Sequence, residues 1–127
     1  MQKITPFLWF DGQAEEAMNF YTSIFRNSKA AKGPNAAFEL DGVEFIAFNG
    51  GPHFKFNEAI SLYVDCKSQE EVDYYWEKLM SGGGAPSQCG WLKDKFGVSW
   101  QIVPDALPRL LKDPDRAKAN RVMQAMM

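Results

Sequence analysis

Two stretches of the sequence match each other, and this internal repeat restricts the possible folds more than any single motif does. EEAMNFYTSIF, which begins at Glu15, and EEVDYYWEKLM, which begins at Glu70, agree in residue class at the two acids and at the apolar positions with helical spacing. The segments that precede them, LWFD and LYVD, also correspond. The sequence therefore predicts the order strand, helix and further strands twice.

The two predicted helices lie near residues 14–25 and 68–81 and cover the outer face of a sheet. Asp11 is a candidate N-cap for the first helix. Ser68 and Glu71 form the S-x-x-E pattern of a capping box at the start of the second helix. Each helix thus has a start signal in addition to its apolar period.

A hairpin is predicted after each helix. Asp41-Gly42 is a strong signal for a two-residue turn, and the register of this hairpin sets Glu39 opposite Glu44. Such a pair of like charges is tolerable only on a solvent-exposed face. CGWLKDKFGVSWQIVP predicts the second hairpin, with Gly97 in its turn. The segment from residue 105 onward predicts a helix with a methionine-rich stripe, which is typical of a core or subunit contact.

Length and charge limit the class of protein. A chain of 127 residues fits one domain, and its net charge of −2 offers no basic surface for nucleic acid or an anionic membrane. The first twelve residues contain only a short apolar stretch, too short for a signal-peptide core or a spanning helix, so we expect a cytoplasmic protein. Cys66 and Cys89 lack metal-site spacing and are expected to be buried thiols.

Several kinds of site find no support in the sequence. His53 is the only histidine and lies in a Gly-Pro turn, which predicts a loop residue, and no nucleophile motif accompanies it. A single histidine also excludes a metal site with two histidine ligands. The glycines at 82–84 follow a helix, the reverse of a phosphate-binding turn, so no nucleotide cofactor is predicted.

Three long stretches resemble the PhnB-like family, also labelled 3-demethylubiquinone-9 3-methyltransferase-like, of the glyoxalase/bleomycin-resistance/dioxygenase (vicinal oxygen chelate) superfamily. They are ITPFLWFDGQAEEAMNFYTSIF, FNGGPHFKFNEAISLYVDCKSQEEVDYYWEKL and CGWLKDKFGVSWQIVP. The resemblance implies an α+β fold of two tandem βαβββ modules whose sheets curl round a cavity, followed by a C-terminal helix, in a homodimer. We place module one at about 1–56, module two at about 57–104 and the tail at 105–127. The family usually has a longer segment between Phe25 and Phe38.

Superfamily enzymes hold a divalent metal with His and Glu side chains from both modules. Alignment of DKFGVSWQ with the superfamily's D-x-x-G-x-x-x-E pattern puts Gln101 at the Glu position, where strand alternation would point it into the cavity with Ser99 and Val103. Glu58 would enter this site only if its strand slipped by one residue. The remaining ligand positions fall near Thr5 or Pro6, Ala47 and Ala59. The resemblance thus implies a site that binds no metal.

Two functions remain open from the sequence. The first is a module that binds a small, largely apolar molecule of unknown identity without a metal or cofactor. The second is an enzyme of the glyoxalase/dioxygenase superfamily that acts on a small molecule in the same cavity, using Gln101 and a nearby acid or thiol. The methyltransferase label itself finds no support, because the chain has neither the glycine-rich turn nor the room for a Rossmann-like sheet.

Overall fold

A computed structural model of the chain describes residues 2–31, 35–88 and 90–104. The described part divides into two compact units, one that ends at Phe56 and one that begins at Asn57. The first unit contains β1 (Phe7–Phe10), α1 (Ala14–Ile24), β2 (Ser28–Ala30), β3 (Ala36–Leu40) and β4 (Val43–Asn49). The second unit contains β5 (Leu62–Cys66), α2 (Gln69–Met80), β6 (Ala85–Pro86), β7 (Trp91–Lys93) and β8 (Ser99–Pro104).

Both units have βαβββ connectivity and the same sheet topology. The first sheet has the strand order β1-β4-β3-β2, and the second has β5-β8-β7-β6. In each sheet the first strand runs parallel to the last, and the other pairs are antiparallel. The predicted α+β fold of two repeated modules is confirmed. The predicted C-terminal helix lies outside the described residues.

Helix α1 packs its buried side against one face of the first sheet. The ring of Tyr21 stacks on Phe38 with a centroid distance of 6.1 Å, and Phe38 stacks on Phe45 at 5.2 Å. Strand alternation places Ala47 on the same face as Phe45, and Ala47 has no exposed surface. The helix contributes five buried residues to this core: Ala14, Ala17, Met18, Tyr21 and Ile24.

The start of α1 differs from the prediction. No side chain of the N-terminal flanking residue caps the helix, so the assignment of Asp11 as N-cap is wrong. Instead, the Oδ1 atom of Asn49 accepts a hydrogen bond of 2.8 Å from the backbone N–H of Ala14. Because β4 pairs with the strand that precedes the helix, its last residue lies beside the helix start.

The start of α2 follows the prediction. The Oγ atom of Ser68 accepts a hydrogen bond of 3.1 Å from the backbone N–H of Glu71, and the Glu71 carboxylate accepts one of 3.1 Å from the backbone N–H of Lys67. Ser68 is therefore the N-cap that its pattern predicts.

Cys66 identifies the face of the second sheet that packs on α2. Its thiol is fully buried as predicted, and burial, followed by the negative charges of Glu71 and Asp65, raises its pKa to about 11. Since Glu71 belongs to α2, the thiol points toward that helix. The ladder between β5 and β8 then places Trp100 and Ile102 on the α2 side. The other predicted thiol, Cys89, lies outside the described residues.

Both predicted hairpins are confirmed. Asp41 and Gly42 have φ values of 51° and 82°, as a two-residue turn with two left-handed positions requires, and Glu39 lies directly opposite Glu44. Gly97 lies in the second turn with φ 90°. The short segment between Phe25 and Phe38 still contains a strand, β2, which pairs with β3.

Candidate functional site

The face of the second sheet that points away from α2 carries most of the side chains predicted for a site. We call it the open face. Ser99, Gln101 and Val103 lie on it, because they alternate along β8 with the α2-facing Trp100 and Ile102. Their neighbours on the same face are Tyr63 and Asp65 of β5 and Trp91 and Lys93 of β7.

Gln101 has a fixed side chain near the centre of the open face. Its Nε2 atom donates a hydrogen bond of 2.9 Å to the Oγ atom of Ser61, and the residue is half-buried. In the ladder it lies directly between Tyr63 and Trp91. Its Oε1 atom accepts no hydrogen bond from the part of the chain that the structure describes. The amide therefore keeps acceptor capacity between two aromatic side chains.

Ser99 is buried, and its hydroxyl is unsatisfied within the described part of the chain. The residue is 2% exposed, and its Oγ atom has no partner within the described ranges. An unsatisfied buried hydroxyl costs about 1–3 kcal/mol in stability. We therefore expect Ser99→Ala to increase the stability of the fold. Val103 is likewise buried, at 3% exposure, so among these three β8 side chains Gln101 alone is partly accessible.

Glu58 reaches the edge of the open face through an ion pair. It lies in the turn before β5, and its Oε2 atom is 2.9 Å from the Nζ atom of Lys93. The hydrogen bond from Lys93, with that from its own backbone N–H and the positive charge of Lys93, lowers the pKa of Glu58 below its ordinary value. On the same face, Asp65 pairs with Lys67 at 2.8 Å. The charges on this face are thus compensated locally.

The hairpin that carries Gln101 is held by Asp94, which is 3% exposed. Its Oδ1 atom accepts hydrogen bonds from the backbone N–H groups of Phe96 (2.9 Å) and Val98 (3.1 Å), and its Oδ2 atom accepts one of 2.9 Å from the indole of Trp100. The D-x-x-G sequence that precedes Gln101 is thus also typical of a carboxylate that closes its own turn.

The donor set does not fit a catalytic divalent metal. In the first module, Phe48 pairs with Trp9 as Gln101 pairs with Tyr63, so the position equivalent to Gln101 carries no donor. The expectation that Ala47 occupies a ligand position in the cavity is wrong, because alternation turns residue 47 toward α1. Residues 2–31, 35–88 and 90–104 contain no group of three His, Cys, Asp or Glu side chains that could hold a metal ion.

The other predicted ligand positions also lack strong donors. Near Thr5 or Pro6, the Thr5 hydroxyl is the available donor, and it donates to the backbone oxygen of Gln2 at 3.2 Å. Ala59 is exposed in the turn before β5. His53 lies exposed in a loop, as predicted.

The corresponding face of the first sheet is aromatic. The Trp9 ring contacts Phe48 with a centroid distance of 5.3 Å and Phe54 at 4.9 Å, and Phe7 contacts Phe48 at 5.3 Å. The Trp9 indole donates a hydrogen bond of 2.9 Å to the backbone oxygen of Gly51. Phe7 and Phe54 remain 55% and 65% exposed. The equivalent faces of the two modules thus differ in character, one aromatic and one polar at its centre.

A shallow pocket of about 300 Å³ lies on the outer strands of the first sheet. Lys29, Glu39 and Glu44 contribute its charged lining. The like-charge pair predicted from the hairpin register therefore borders a concave, solvent-accessible surface, which agrees with the expectation that such a pair needs water.

The repeated βαβββ units define the class of the protein by their similarity to solved structures. A glyoxalase/bleomycin resistance protein from Albidiferax ferrireducens aligns with a TM-score of 0.58 at 14% identity, over 81% of this chain and 98% of that chain. Protein PA1353 from Pseudomonas aeruginosa aligns with a TM-score of 0.65 at 19% identity, over 83% and 98%. At these identities the likeness shows the glyoxalase/bleomycin-resistance fold alone.

The family is shown by the sequence. Residues 2–103 match the family described as 3-demethylubiquinone-9 3-methyltransferase. The PhnB protein from Bacillus cereus, described with the same activity, is 40% identical, with a TM-score of 0.72 over 81% of this chain and 99% of that chain. The chain therefore belongs to this PhnB-like family of the glyoxalase/bleomycin-resistance/dioxygenase superfamily. None of the curated proteins matches it. Among the described helices, none is long and apolar enough to cross a membrane.

Proposed function

We propose that this chain is a binding module that holds a small, largely apolar molecule on the open face without a metal. The observation that carries the proposal is the setting of Gln101, a fixed amide between Tyr63 and Trp91 whose Oε1 acceptor is unused within the described ranges. An amide with free hydrogen-bonding capacity beside aromatic side chains is typical of small-molecule sites.

The side chains that would serve an enzyme are poorly suited to catalysis. Glu58 is paired with Lys93 and has a lowered pKa, so it is ionised at neutral pH and does not act as a general acid. Cys66 lies on the α2 side of the sheet, and its raised pKa leaves little thiolate at neutral pH. Glu58 therefore offers no general acid and Cys66 offers no ready thiolate nucleophile, which favours binding over catalysis.

Native mass spectrometry of the protein as purified tests the proposal, because it reports a bound metal and a retained organic molecule together. We expect an added mass in the range of a small organic molecule and no divalent metal. Protein that carries a stoichiometric metal would contradict the proposal. Protein that carries nothing, and that binds no member of a fragment library by NMR, would contradict it equally.

The variant Gln101→Glu should not create a tight metal site. It restores the carboxylate of the superfamily pattern, but a stable site needs three or four converging ligands, and Phe48 occupies the equivalent position of the other module. Isothermal titration calorimetry with zinc and nickel should therefore give no sub-micromolar, stoichiometric binding for the wild type or the variant. Such binding by either protein would show that the donor set has been assigned incorrectly. Gln88→Glu, at an exposed position, is the control for added charge.

We also propose a homodimer. Phe7 on the edge strand β1 and Phe54 in the loop after β4 expose large apolar rings that join a wider aromatic cluster, and a second copy of the chain would cover them. Light scattering at micromolar concentration should give twice the chain mass of 14.4 kDa. Phe7→Glu should shift the protein toward the monomer, whereas Tyr74→Glu on the exposed side of α2 should not. A wild-type mass of 14.4 kDa would contradict the dimer.

The module boundaries and the cellular location of the protein are further parts of the proposal. We propose that residues 1–56 and 57–104 are the two modules of one family domain, with 105–127 as a tail, and that the protein acts in the cytoplasm. Fractionation of cells that express the tagged chain checks the location, and recovery with the membrane pellet or in the medium would contradict it.

A further inference from the structure

The open face, on which the proposed function rests, also carries information about the kind of molecule that it binds. Tyr63 and Trp91 lie on the two strands that flank β8, and each pairs directly with Gln101. Neighbouring strands are about 4.8 Å apart, so the backbones at these two residues are separated by about 10 Å. A planar ring above Gln101 would then have its centre about 5 Å from each flanking ring, within the range of aromatic contacts.

The floor of this space is a carboxamide with unused hydrogen-bonding groups. Gln101 uses one N–H on Ser61, which leaves one N–H donor and the Oε1 acceptor within the described structure. The indole N–H of Trp91 likewise has no acceptor in the described ranges. A ligand that presents a donor beside an acceptor would satisfy the Gln101 amide at two points, as glutamine does when it reads a base edge.

The paired charges of the face favour an uncharged ligand. Lys93 is paired with Glu58 at 2.9 Å, and Asp65 with Lys67 at 2.8 Å. A charged ligand would have to break one of these pairs or lose its own hydration without compensation.

We infer that the open face recognises an uncharged planar aromatic molecule that carries a hydrogen-bond donor beside an acceptor, as an aromatic carboxamide or lactam does. Gln101 makes the two-point contact, and Tyr63 and Trp91 flank the ring. The first module offers no equivalent site, because Phe48 stands where the second module has Gln101.

Three probes of similar size separate the parts of this inference. Benzamide is planar and uncharged, benzoate is planar and charged, and cyclohexanecarboxamide is uncharged but not planar. In ¹H–¹⁵N correlation spectra of the wild-type protein, benzamide should shift the side-chain amide of Gln101 and the indole N–H of Trp91. The other two probes should bind about tenfold more weakly, since each loses one class of contact. Equal binding of all three, or shifts centred on Trp9, would overturn the inference.

Variants add a second readout. Gln101→Leu should weaken benzamide binding about tenfold by removing the two hydrogen bonds, whereas the exposed Gln88→Leu should leave it unchanged. An unchanged benzamide affinity in folded Gln101→Leu would reject the role of the amide. If native mass spectrometry finds a retained molecule but benzamide does not bind, this ligand class is wrong and the binding function stands. If there is neither a retained molecule nor any fragment bound, both fail.

Discussion

Asp94→Ala should destabilise the protein by about 3–4 kcal/mol, because it leaves three donors of one hairpin without their acceptor. Two of these donors, the Val98 backbone N–H and the Trp100 indole, belong to hydrogen bonds in the buried interior. The same hairpin carries Lys93 and Gln101, so the open face should lose its order together with the turn. Urea unfolding followed by circular dichroism measures the loss in free energy.

Two further substitutions separate the role of Asp94 from a general effect of removing a carboxylate. Asp94→Asn keeps an oxygen for the backbone donors but places an amide N–H₂ against the Trp100 indole, so its cost should fall between that of alanine and the wild type. Asp73→Ala, on the exposed side of α2, loses only a contact with Gln69 and should cost about 0.5 kcal/mol or less. If Asp94→Ala cost no more than Asp73→Ala, the hairpin would not depend on this carboxylate.

Gly84→Ala should also have a large effect, of about 3 kcal/mol. A Cβ atom at this position would lie 2.8 Å from both the Cα and the carbonyl oxygen of Met80 and 2.9 Å from the carbonyl oxygen of Lys93. All three are backbone atoms, so no side-chain rotation relieves the contact. The end of α2 and the edge of the second sheet would have to separate, and thermal or urea unfolding measures the cost.

Ser87→Ala is the matched control for that prediction. Ser87 lies just after β6, is exposed, and makes no side-chain hydrogen bond within the described residues, so alanine there should change stability by less than about 0.5 kcal/mol. Equal stability of the two variants would mean that the close approach of Gly84 to Met80 is not needed for the fold.

The features that the sequence predicts correctly depend on neighbours in the chain. Ser68 caps α2 because its partner, Glu71, is three residues away, and Asp41-Gly42 forms its turn because both residues accept left-handed backbone angles. The repeat predicts the topology because corresponding apolar positions, such as Ile24 and Leu79, turn each helix toward its own sheet. These signals are local or periodic, and for that reason they are visible without a structure.

The features that the sequence misses come from residues brought together by the sheets. Asn49 caps α1 across 35 positions of the chain, which no capping pattern contains. The expected ligand position near Ala47 faces α1 instead, because a shift of one residue in a strand moves a side chain to the opposite face. The pairs Glu58 with Lys93 and Gln101 with Ser61 likewise join side chains that are 35 to 40 positions apart. The composition of the open face could therefore be predicted only in part.

The parallel pairing within each module also determines the order in which its strands can assemble. β3 and β4 meet across a two-residue turn, whereas β1 meets β4, and β5 meets β8, across about 40 positions of the chain. Closing the longer loop costs more entropy, so the hairpin forms early and the first strand of each module, although synthesised first, docks late. In stopped-flow experiments, substitutions in β3 should slow refolding, and substitutions in β1 should mainly accelerate unfolding. During synthesis, the apolar residues of the first strand of each module therefore lack their sheet partner until the last strand of that module has been synthesised.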